Sequence, residues 1–405
     1  MNGGDASRGP AGSRFVRPAE DDCVRRRAGV RVVLAPDKFK GCLTSEQVAE
    51  HLARGLVAAW SDIDVVSVPV ADGGDGTLHA AVAAGFRRRE VTVTGPIGQP
   101  VRSAIAVRNG IAVVELAAAS GLGLLADGQP QPLEATSWGT GELIRAALDA
   151  DCTEIILGVG GSASTDGGSG MLQALGARLL DSSGEQLGLG GGALRSLDRV
   201  DLSDLDPRLK SARFVLASDV DNPLLGDHGG ARIYGPQKGA TSRDIEELES
   251  GMERWASLVD YAAVSLPGAG AAGGVGYAAL TVLGAIRRPG VEVVLELTGF
   301  QEAARGAVLV ITGEGSLDAQ TLSGKAPVGV ARAAGRLGVP AIAVCGQCHV
   351  DPSTLASVGL GRAYALTDIE PCIEICISRP GPLLEDLAGR IARDLAGGRI
   401  SGDKR

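Results

Sequence analysis

The chain has 405 residues, which is enough for two domains with cores of their own. Its formal net charge of −9 argues against sequence-independent binding to DNA or to anionic lipid, because both need a basic surface. Glycine, at 60 residues, is about twice as frequent as usual, and aromatic residues reach only 3%. The composition therefore predicts a loop-rich α/β protein with aliphatic packing.

Both ends of the chain differ in composition from the rest. Residues 1–28 are rich in arginine but lack the apolar core that a secretory signal needs, so we expect a disordered N-terminal extension. Residues 397–405 form a predicted C-terminal tail. The uncharged segment 261–286 has the length of a membrane span, but Pro267 and many glycines predict a loop that leads into a buried helix. These features predict a cytoplasmic protein.

The predicted order of strands and helices begins as β-α-β. Residues 31–35 and 65–70 are continuous apolar runs of the kind found in buried parallel strands, and a capping box at 44–47 predicts the helix between them. Polar loops follow the two strands at 36–41 and 71–76. Because ligands gather at the carboxyl edge of open α/β sheets, these loops are predicted to border a site.

Short strands then replace the β-α-β pattern. Residues 91–94, 101–107 and 111–116 predict antiparallel strands, and Asn109-Gly110 is a strong hairpin signal. This change marks a second domain. Its other predicted elements are a helix near 141–148, a strand at 155–159, a helical pattern over 171–180, a strand at 214–217 and a helix over 242–259.

The parallel pattern returns after residue 290. Residues 293–297, 307–311 and 341–344 are predicted strands, with a helix from about Pro327. We therefore expect one discontinuous domain, residues 29–75 plus 288–396, and an inserted mixed α/β domain, residues 76–287. A cleft between domains is a common place for a ligand.

Residues 158–170 form a loop between a predicted strand and a predicted helix. Six of these thirteen residues are glycine, so the loop presents many backbone N–H groups close to a helix N-terminus, which favours a phosphate site. The alternative is a tight turn that packs closely. The loop shares the pattern D-G-G-x-G-x-L-x-A with residues 72–80. Either both loops face one cleft, or glycine-rich helix starts simply resemble each other.

Acidic residues occur in four loops that follow apolar runs. Their candidate roles are Mg²⁺ binding and proton abstraction from a substrate hydroxyl, although a single such residue is more often a cap or turn former. The four loops hold Asp72 with Asp75, Asp166, Asp219 with Asp221, and Glu314 with Asp318.

Four lysines in glycine- or proline-containing loops could meet a phosphorylated ligand in this acidic chain. Lysines are mostly solvated surface residues, and that is the alternative for each of them. They are Lys38, Lys40, Lys238 and Lys325.

Two other classes of function have weaker sequence support. Residues 268–273 match G-x-G-x-x-G with Glu292 about 20 residues on, as in NAD(P)-dependent oxidoreductases, but Pro267 interrupts the approach. The chain lacks G-x-x-x-x-G-K-[ST] and the motifs of protein kinases. A zinc or thiol protein is suggested only superficially, by Cys345, Cys348, Cys372 and Cys376.

Taken together and in order, these loops resemble the bacterial type-1 glycerate kinase family over about residues 30–395. The Arg-Ile pair usual in that family is Ser316-Leu317 here, which leaves open which cation meets the glycerate carboxylate. The matching segments are 35–41 (APDKFKG), 70–77 (VADGGDGT), 157–162 (LGVGGS), 166–168 (DGG), 219–223 (DVDNP), 235–239 (GPQKG), 267–274 (PGAGAAGG), 312–315 (TGEG), 320–321 (QT) and 324–327 (GKAP).

The resemblance implies ATP-dependent phosphorylation of D-glycerate, with Mg²⁺, in glycerate or glyoxylate metabolism, and it favours 2-phosphoglycerate as product. It also implies that the discontinuous domain is Rossmann- or flavodoxin-like, and a homo-oligomer is possible. The predicted catalytic residues are Asp166, Asp318, Lys38 and Lys40. Predicted metal ligands are Asp72, Asp75 and Asp219. Predicted to bind substrate or phosphate are Gly73, Gly74, Gly160, Gly161, Ser162, Gly167, Gly168, Lys238, Glu314 and Lys325.

Overall fold

The computed structural model describes residues 30–125, 130–319, 321–323 and 325–400. The predicted N-terminal extension and residues 401–405 of the predicted tail therefore lie outside the described residues. The strands are β1 Val30–Pro36, β2 Ile63–Ser67, β3 Arg87–Thr94, β4 Pro100–Arg108, β5 Ile111–Glu115, β6 Glu154–Gly158, β7 Arg178–Leu180, β8 Arg199–Asp201, β9 Arg213–Ala217, β10 Ile286–Arg288, β11 Leu309–Leu317, β12 Ala341–Cys348 and β13 Leu360–Ala365.

Helices cover these strands, and several 3-10 turns connect them. The α-helices are α1 Ser45–Ala59, α2 Thr77–Ala83, α3 Ala117–Ser120, α4 Trp138–Leu148, α5 Ser169–Ala174, α6 Gly230–Tyr234, α7 Ser242–Val259, α8 Ala271–Thr281, α9 Gly290–Leu297, α10 Phe300–Ala304, α11 Ala326–Arg336, α12 Pro352–Ser357, α13 Ile373–Ser378 and α14 Pro380–Ala396.

The first sheet is parallel, with the strand order β13-β12-β11-β1-β2. Successive residues of β1 enter different cores: Val33 and Ala35 pack with α9, α10 and α11, whereas Val32 and Leu34 pack with α1 and α14. Both faces are covered, which explains the continuous apolar run. The chain continues to β2 on one side of β1 and to β12 beyond β11, so the carboxyl ends of β1 and β11 form the switch point where such sheets bind ligands.

The second sheet is mixed, with the order β10-β9-β6-β5-β4-β3. Strands β5, β6, β9 and β10 are parallel, and β3-β4-β5 is antiparallel. Asn109 and Gly110, with φ of 51° and 78°, form the predicted hairpin turn between β4 and β5. The predicted fold class is confirmed. The boundaries at 75/76 and 287/288 stay predictions, although the first sheet draws its strands from both chain ends and the second from the middle.

The predicted strand at 293–297 is wrong, because this segment is helix α9. Val291 and Leu295 pack into the core of the first sheet, while Val293 packs against the second sheet. A helix packed between two sheets keeps only a narrow polar face, here Glu292 and Glu296, and its short apolar run then looks like a strand.

The helix predicted over 171–180 is also wrong for about half of its length. Helix α5 ends at Ala174, and β7 pairs antiparallel with β8. Gly176, with φ of 110°, changes the direction of the chain between them. The capping box at Thr44 and Gln47, the bounds of α7 and the buried helix within 261–286 are confirmed.

None of the helices in the described part of the chain has the length and apolar composition needed to cross a membrane. The cytoplasmic location stays a prediction.

Candidate active site

The loop that follows β2 packs against the carboxyl edge of the second sheet through glycines. A Cβ on Gly160 would lie 2.5 Å from Gly74 Cα, and one on Gly158 would lie 2.6 Å from the Gly73 carbonyl oxygen. Only glycine permits two backbones to approach this closely. The carboxyl edges of the two sheets therefore meet through these two loops.

A pocket of about 220 Å³ opens where the two loops meet. Eight residues predicted from the sequence line it, so the two loops that share D-G-G-x-G both border one cavity. The lining residues with polar side chains or glycine backbone are Asp72, Gly73, Gly74, Gly160, Gly161, Ser162, Ser218, Asp219, Tyr234, Gln237 and Lys238, beside apolar Leu122, Val159, Ala217, Val220, Ala271 and Ala272.

Asp219 stands at the end of β9 and joins this pocket to helix α9. Its Oδ1 accepts a hydrogen bond from Gly290 N at 2.8 Å, which fixes the side chain at the helix N-terminus. Its Oδ2 is buried and has no hydrogen-bond partner among the described residues. Burial, and then the charge of Asp72, raise the pKa of Asp219 to about 7. One carboxylate oxygen is thus held in place, while the other makes no hydrogen bond to the described residues.

The charge of Asp72 acts on both Asp219 and a second carboxylate, Asp37. Asp72 Oδ1 accepts a hydrogen bond from Gly74 N at 3.1 Å, and Asp37 N donates to Gly313 O at 2.8 Å at the switch point of the first sheet. Burial, and then Asp72, raise the pKa of Asp37 to about 7. The residues 37, 72 and 219 therefore concentrate negative charge where the two sheets meet.

Asp75 does not line the pocket with Asp72. Its side chain is 73% exposed, and Lys38 Nζ binds both its Oδ2, at 2.9 Å, and its carbonyl oxygen, at 2.7 Å. Lys40 is exposed. The Lys38–Asp75 pair therefore ties the loop after β1 to the loop after β2 at the rim, and the geometry favours Asp72 and Asp219 over Asp75 as cation ligands.

Glu314 lies within β11 rather than in the predicted loop, because the strand continues to Leu317, and Asp318 directly follows the strand. Glu314 Oε1 accepts a hydrogen bond from Thr321 Oγ1 at 2.5 Å, and Asp318 Oδ1 accepts one from Thr321 N at 3.3 Å. Burial raises the pKa of Glu314, and Thr321 and then Lys325 oppose that shift. Lys325 directly precedes α11, at the N-cap position of that helix. These residues flank the pocket on the first-sheet side rather than lining it. Residues 320 and 324 of the quoted motifs lie outside the described residues.

Asp166 lies behind the pocket and is fully buried. Its carboxylate accepts hydrogen bonds from both the backbone and the hydroxyl of Ser137, at 2.7 and 2.9 Å, and from Gly168 N at 3.1 Å. Thr136 Oγ1 and Gly170 N donate to it as well. With five donors and no exposure, it organises the loop, and this geometry favours a structural role over that of base.

Gly167 and Gly168, like Asp166, do not line the pocket and instead support the glycine-rich loop from behind. Both have positive φ, 66° and 77°. Added Cβ atoms there would lie 2.9 Å from Trp255 Cδ1 and 2.5 Å from Ala278 Cβ, so the glycines allow α7 and α8 to pack behind the loop. Gly160, Gly161 and Ser162 are the part of the loop that borders the cavity.

Lys238 ends a 3-10 turn, Pro236–Lys238, and its side chain is only 2% exposed in the molecule. Its Nζ donates to Ser162 Oγ at 2.8 Å and to Ser164 O at 2.7 Å. Burial lowers the pKa of Lys238 to about 7, and the charge of Asp166 opposes that shift. A buried amine thus holds the glycine loop and lines the pocket.

The chain is similar in sequence to known proteins over most of its length. A model of the glycerate kinase family matches residues 32–396. The chain belongs to the glycerate kinase family. It is 42% identical to the glycerate kinase of Bacillus subtilis (strain 168), over 91% of this chain and 97% of that protein. It is 43% identical to the glycerate 2-kinase of Escherichia coli (strain K12), over 83% and 90%.

A solved structure has the same fold. It is described as a glycerate kinase 2 from Salmonella typhimurium LT2, and it matches with a TM-score of 0.78 and 40% identity, covering 92% of this chain and 99% of that chain. The family resemblance expected from the loop motifs is confirmed, and the protein is an enzyme of the glycerate kinase family.

Sequence reasoning missed several residues at this glycerate kinase site. Asp37 was overlooked, although it lies within the APDKFKG segment and directly follows β1. Glu115, at the end of β5, accepts a hydrogen bond from Leu78 N at 2.9 Å, and burial raises its pKa to about 7. The only sequence feature that could have indicated Glu115 is its place as an acidic residue at the end of an apolar strand. Gln237 lines the pocket and lies within the motif 235–239, although it was not predicted as a site residue, and Tyr234 carried no signal beyond proximity to that motif.

The dinucleotide-like loop 268–273 lacks the context that an oxidoreductase needs. A 3-10 turn, Tyr261–Ser265, precedes it instead of a strand, and Ala272, Gly273 and Gly274 have left-handed backbone. Ala271 and Ala272 line the same pocket as the other loops. In this glycerate kinase family member the loop serves the shared cavity.

The four C-terminal cysteines do not form a metal group. Among the described residues, no three or more His, Cys, Asp and Glu side chains lie close enough to share an ion. Cys345 packs on one face of the first sheet and Cys376 on the other. A zinc or thiol function has no support in this arrangement.

Gly160→Ala tests whether the contact between the two glycine loops matters for the enzyme. The new Cβ would meet Gly74 Cα, so one backbone must move by about 1 Å, and we expect kcat/KM to fall by roughly 10²-fold. Gly123→Ala is the control, because a Cβ on Gly123 meets nothing within 4 Å. Steady-state kinetics of both variants decide the matter: equal rates for the two would contradict a role for the contact.

Proposed function

We propose that this enzyme transfers the terminal phosphoryl group of ATP to a hydroxyl of D-glycerate, with Mg²⁺, and that the product is 2-phosphoglycerate. Family membership supports the reaction class. The Escherichia coli relative, 43% identical, is named a glycerate 2-kinase, which favours the 2-hydroxyl.

The observation that carries this proposal is the pocket between the two sheet edges. It combines a buried lysine, Lys238, with a carboxylate oxygen, Asp219 Oδ2, that has no hydrogen-bond partner among the described residues. A bound hydroxy acid would offer its carboxylate to Lys238. The Mg²⁺ ion of the nucleotide, or the hydroxyl group of the acid, would meet Asp219 Oδ2. Glycine backbone forms the wall between these two side chains, as phosphate binding requires.

Asp72 and Asp219 fit a Mg²⁺ ion of the kind that kinases use. The described residues hold no cluster of three or more potential metal ligands, so an ion held by protein side chains alone is not supported. Mg²⁺ in kinases typically takes one or two carboxylates and completes its shell with water and phosphate oxygens. When bound, the ion would neutralise charge on the phosphates.

Cations at the rim complete the proposed assignment. Lys38, held by Asp75, and Lys325, at the N-terminus of α11, lie on the first-sheet side where the triphosphate would approach. Asp318 remains the proposed base, because Asp166 is enclosed by its five donors. The chain would act mainly by positioning and charge neutralisation, since a loose phosphoryl transition state needs little covalent help.

A coupled assay of ADP release tests the function directly. We expect ADP to form at a high rate only when D-glycerate, ATP and Mg²⁺ are all present, and at least tenfold more slowly with L-glycerate, lactate or glycerol. ³¹P spectroscopy of the product then distinguishes phosphorylation at the 2-hydroxyl from phosphorylation at the 3-hydroxyl. ADP release that is independent of glycerate would contradict the proposal.

A further inference from the structure

We infer that Lys238 binds the carboxylate of the acceptor acid, and that its neutral amine takes up a proton from solution to become an ammonium group as this anion enters the pocket. The inference rests on the proposed function, and it names the group that recognises the acid. It answers the question left by Ser316, which stands where the family usually has an arginine.

The position of the Lys238 side chain supports this assignment. Among the described residues that line the pocket, it is the only one with a cationic side chain. Two of the three N–H bonds of an ammonium group are used by Ser162 Oγ and Ser164 O, and both of these acceptors are neutral. One N–H bond is left for a ligand.

The charges around Lys238 explain why an anion would be needed. A buried ammonium without a direct counter-charge is costly. The charge of Asp166 would favour protonation of Lys238, but burial raises the pKa of Asp166 itself, and its carboxyl group already accepts hydrogen bonds from its own donors. Asp72, Asp219 and Tyr234 are the other titratable residues that line the pocket in the described part of the chain. Burial therefore lowers the pKa of Lys238 to about 7, and a bound anion would raise it again.

A carboxylate suits this position better than the phosphates of a nucleotide. The pocket, at about 220 Å³, is smaller than the roughly 300–1,000 Å³ that drug-sized ligands occupy, and so it suits a three-carbon acid. The other candidate cations, Lys38 and Lys325, belong to loops of the first sheet. An oxyanion of either kind would satisfy the amine, so the experiment has to separate the two sources.

Calorimetric titration in buffers of different ionisation enthalpy measures the proton uptake. D-Glycerate is titrated into the full chain, alone and saturated with ADP, at pH 6 and pH 8, and ADP is titrated alone. We expect uptake approaching one proton per site at pH 8 and much less at pH 6, where the amine is already protonated. The affinity for D-glycerate should fall by up to about tenfold per pH unit above pH 8.

Lys238→Met should abolish the uptake and weaken D-glycerate binding by roughly 100-fold, whereas Lys210→Met, at an exposed lysine, should change neither. Glyceramide, whose amide is neutral, gives a second arm that needs no variant: its binding to the unaltered chain should be weaker and should take up no proton.

Three results would overturn the inference: uptake with ADP but not with D-glycerate, uptake that persists in Lys238→Met, or D-glycerate binding without uptake at pH 8. The ADP-release assay keeps the two proposals apart. Glycerate-dependent ADP release without proton uptake would leave the proposed function intact and remove this inference. Proton-linked glycerate binding without ADP release would do the reverse.

Discussion

Asp219→Asn is expected to lower kcat/KM by roughly 10³-fold while leaving the fold intact. The asparagine oxygen can still accept the hydrogen bond from Gly290 N, so the helix N-terminus keeps its partner. What disappears is the negative charge on the buried oxygen that has no partner in the described structure. We also expect the Mg²⁺ concentration for half-maximal rate to rise by roughly tenfold or more.

Asp221→Asn is the matched control for this prediction. Asp221 belongs to the same loop but is 78% exposed, and it contacts Arg287 at 2.5 Å. An exposed ion pair contributes little, so the variant should keep nearly full turnover and an unchanged Mg²⁺ dependence. Steady-state kinetics across a Mg²⁺ series measures both variants. If Asp219→Asn retained normal kinetics at every Mg²⁺ concentration, Asp219 would have no role at the cation.

Asp166→Asn is expected to destabilise the enzyme by about 3 kcal/mol, because an amide cannot accept from every donor that now surrounds the carboxylate. The side chain is fully buried, so water cannot replace the lost partners. Ser137 and Gly168 are two of the groups that would be left without a full acceptor. Urea unfolding at pH 7 followed by circular dichroism measures the loss.

Asp181→Asn provides the comparison for that measurement. Asp181 also accepts hydrogen bonds from a nearby hydroxyl and backbone, those of Ser183 and Glu185, but it does so at the surface. Water can satisfy the same donors there, so the loss of stability should be much smaller. Equal losses in the two variants would show that the enclosed carboxylate does not organise the loop as its geometry indicates.

Local patterns predicted much of the fold. The capping box of Thr44 and Gln47 correctly predicted the start of α1, and Asn109-Gly110 correctly predicted the turn between β4 and β5. Helix α7 has the predicted bounds. Each of these signals depends on residues close together in the chain. The prediction for the segment that forms helix α9 was wrong for the opposite reason. Its apolar residues face two different sheets, so its pattern depends on residues far away in sequence.

The same distinction holds at the site. The order of short loop motifs identified the family and the general chemistry, because glycine, aspartate and lysine in such loops have few other uses in that combination. Sequence alone could not rank the aspartates. Asp72, Asp75 and Asp166 all lie in the same kind of glycine-rich loop, yet one lines the pocket, one pairs with Lys38 at the rim, and one is enclosed.

The sequence by itself determined most of the order of helices and strands, the family and the loops that form the pocket. Tertiary structure decided which carboxylate oxygen lacks a hydrogen-bond partner among the described residues, which carboxylate is enclosed by donors, and which lysine is buried. Burial and hydrogen bonding set the charge of a side chain, and both come from distant segments: Ser137 reaches Asp166, Gly290 reaches Asp219, and Ser162 reaches Lys238.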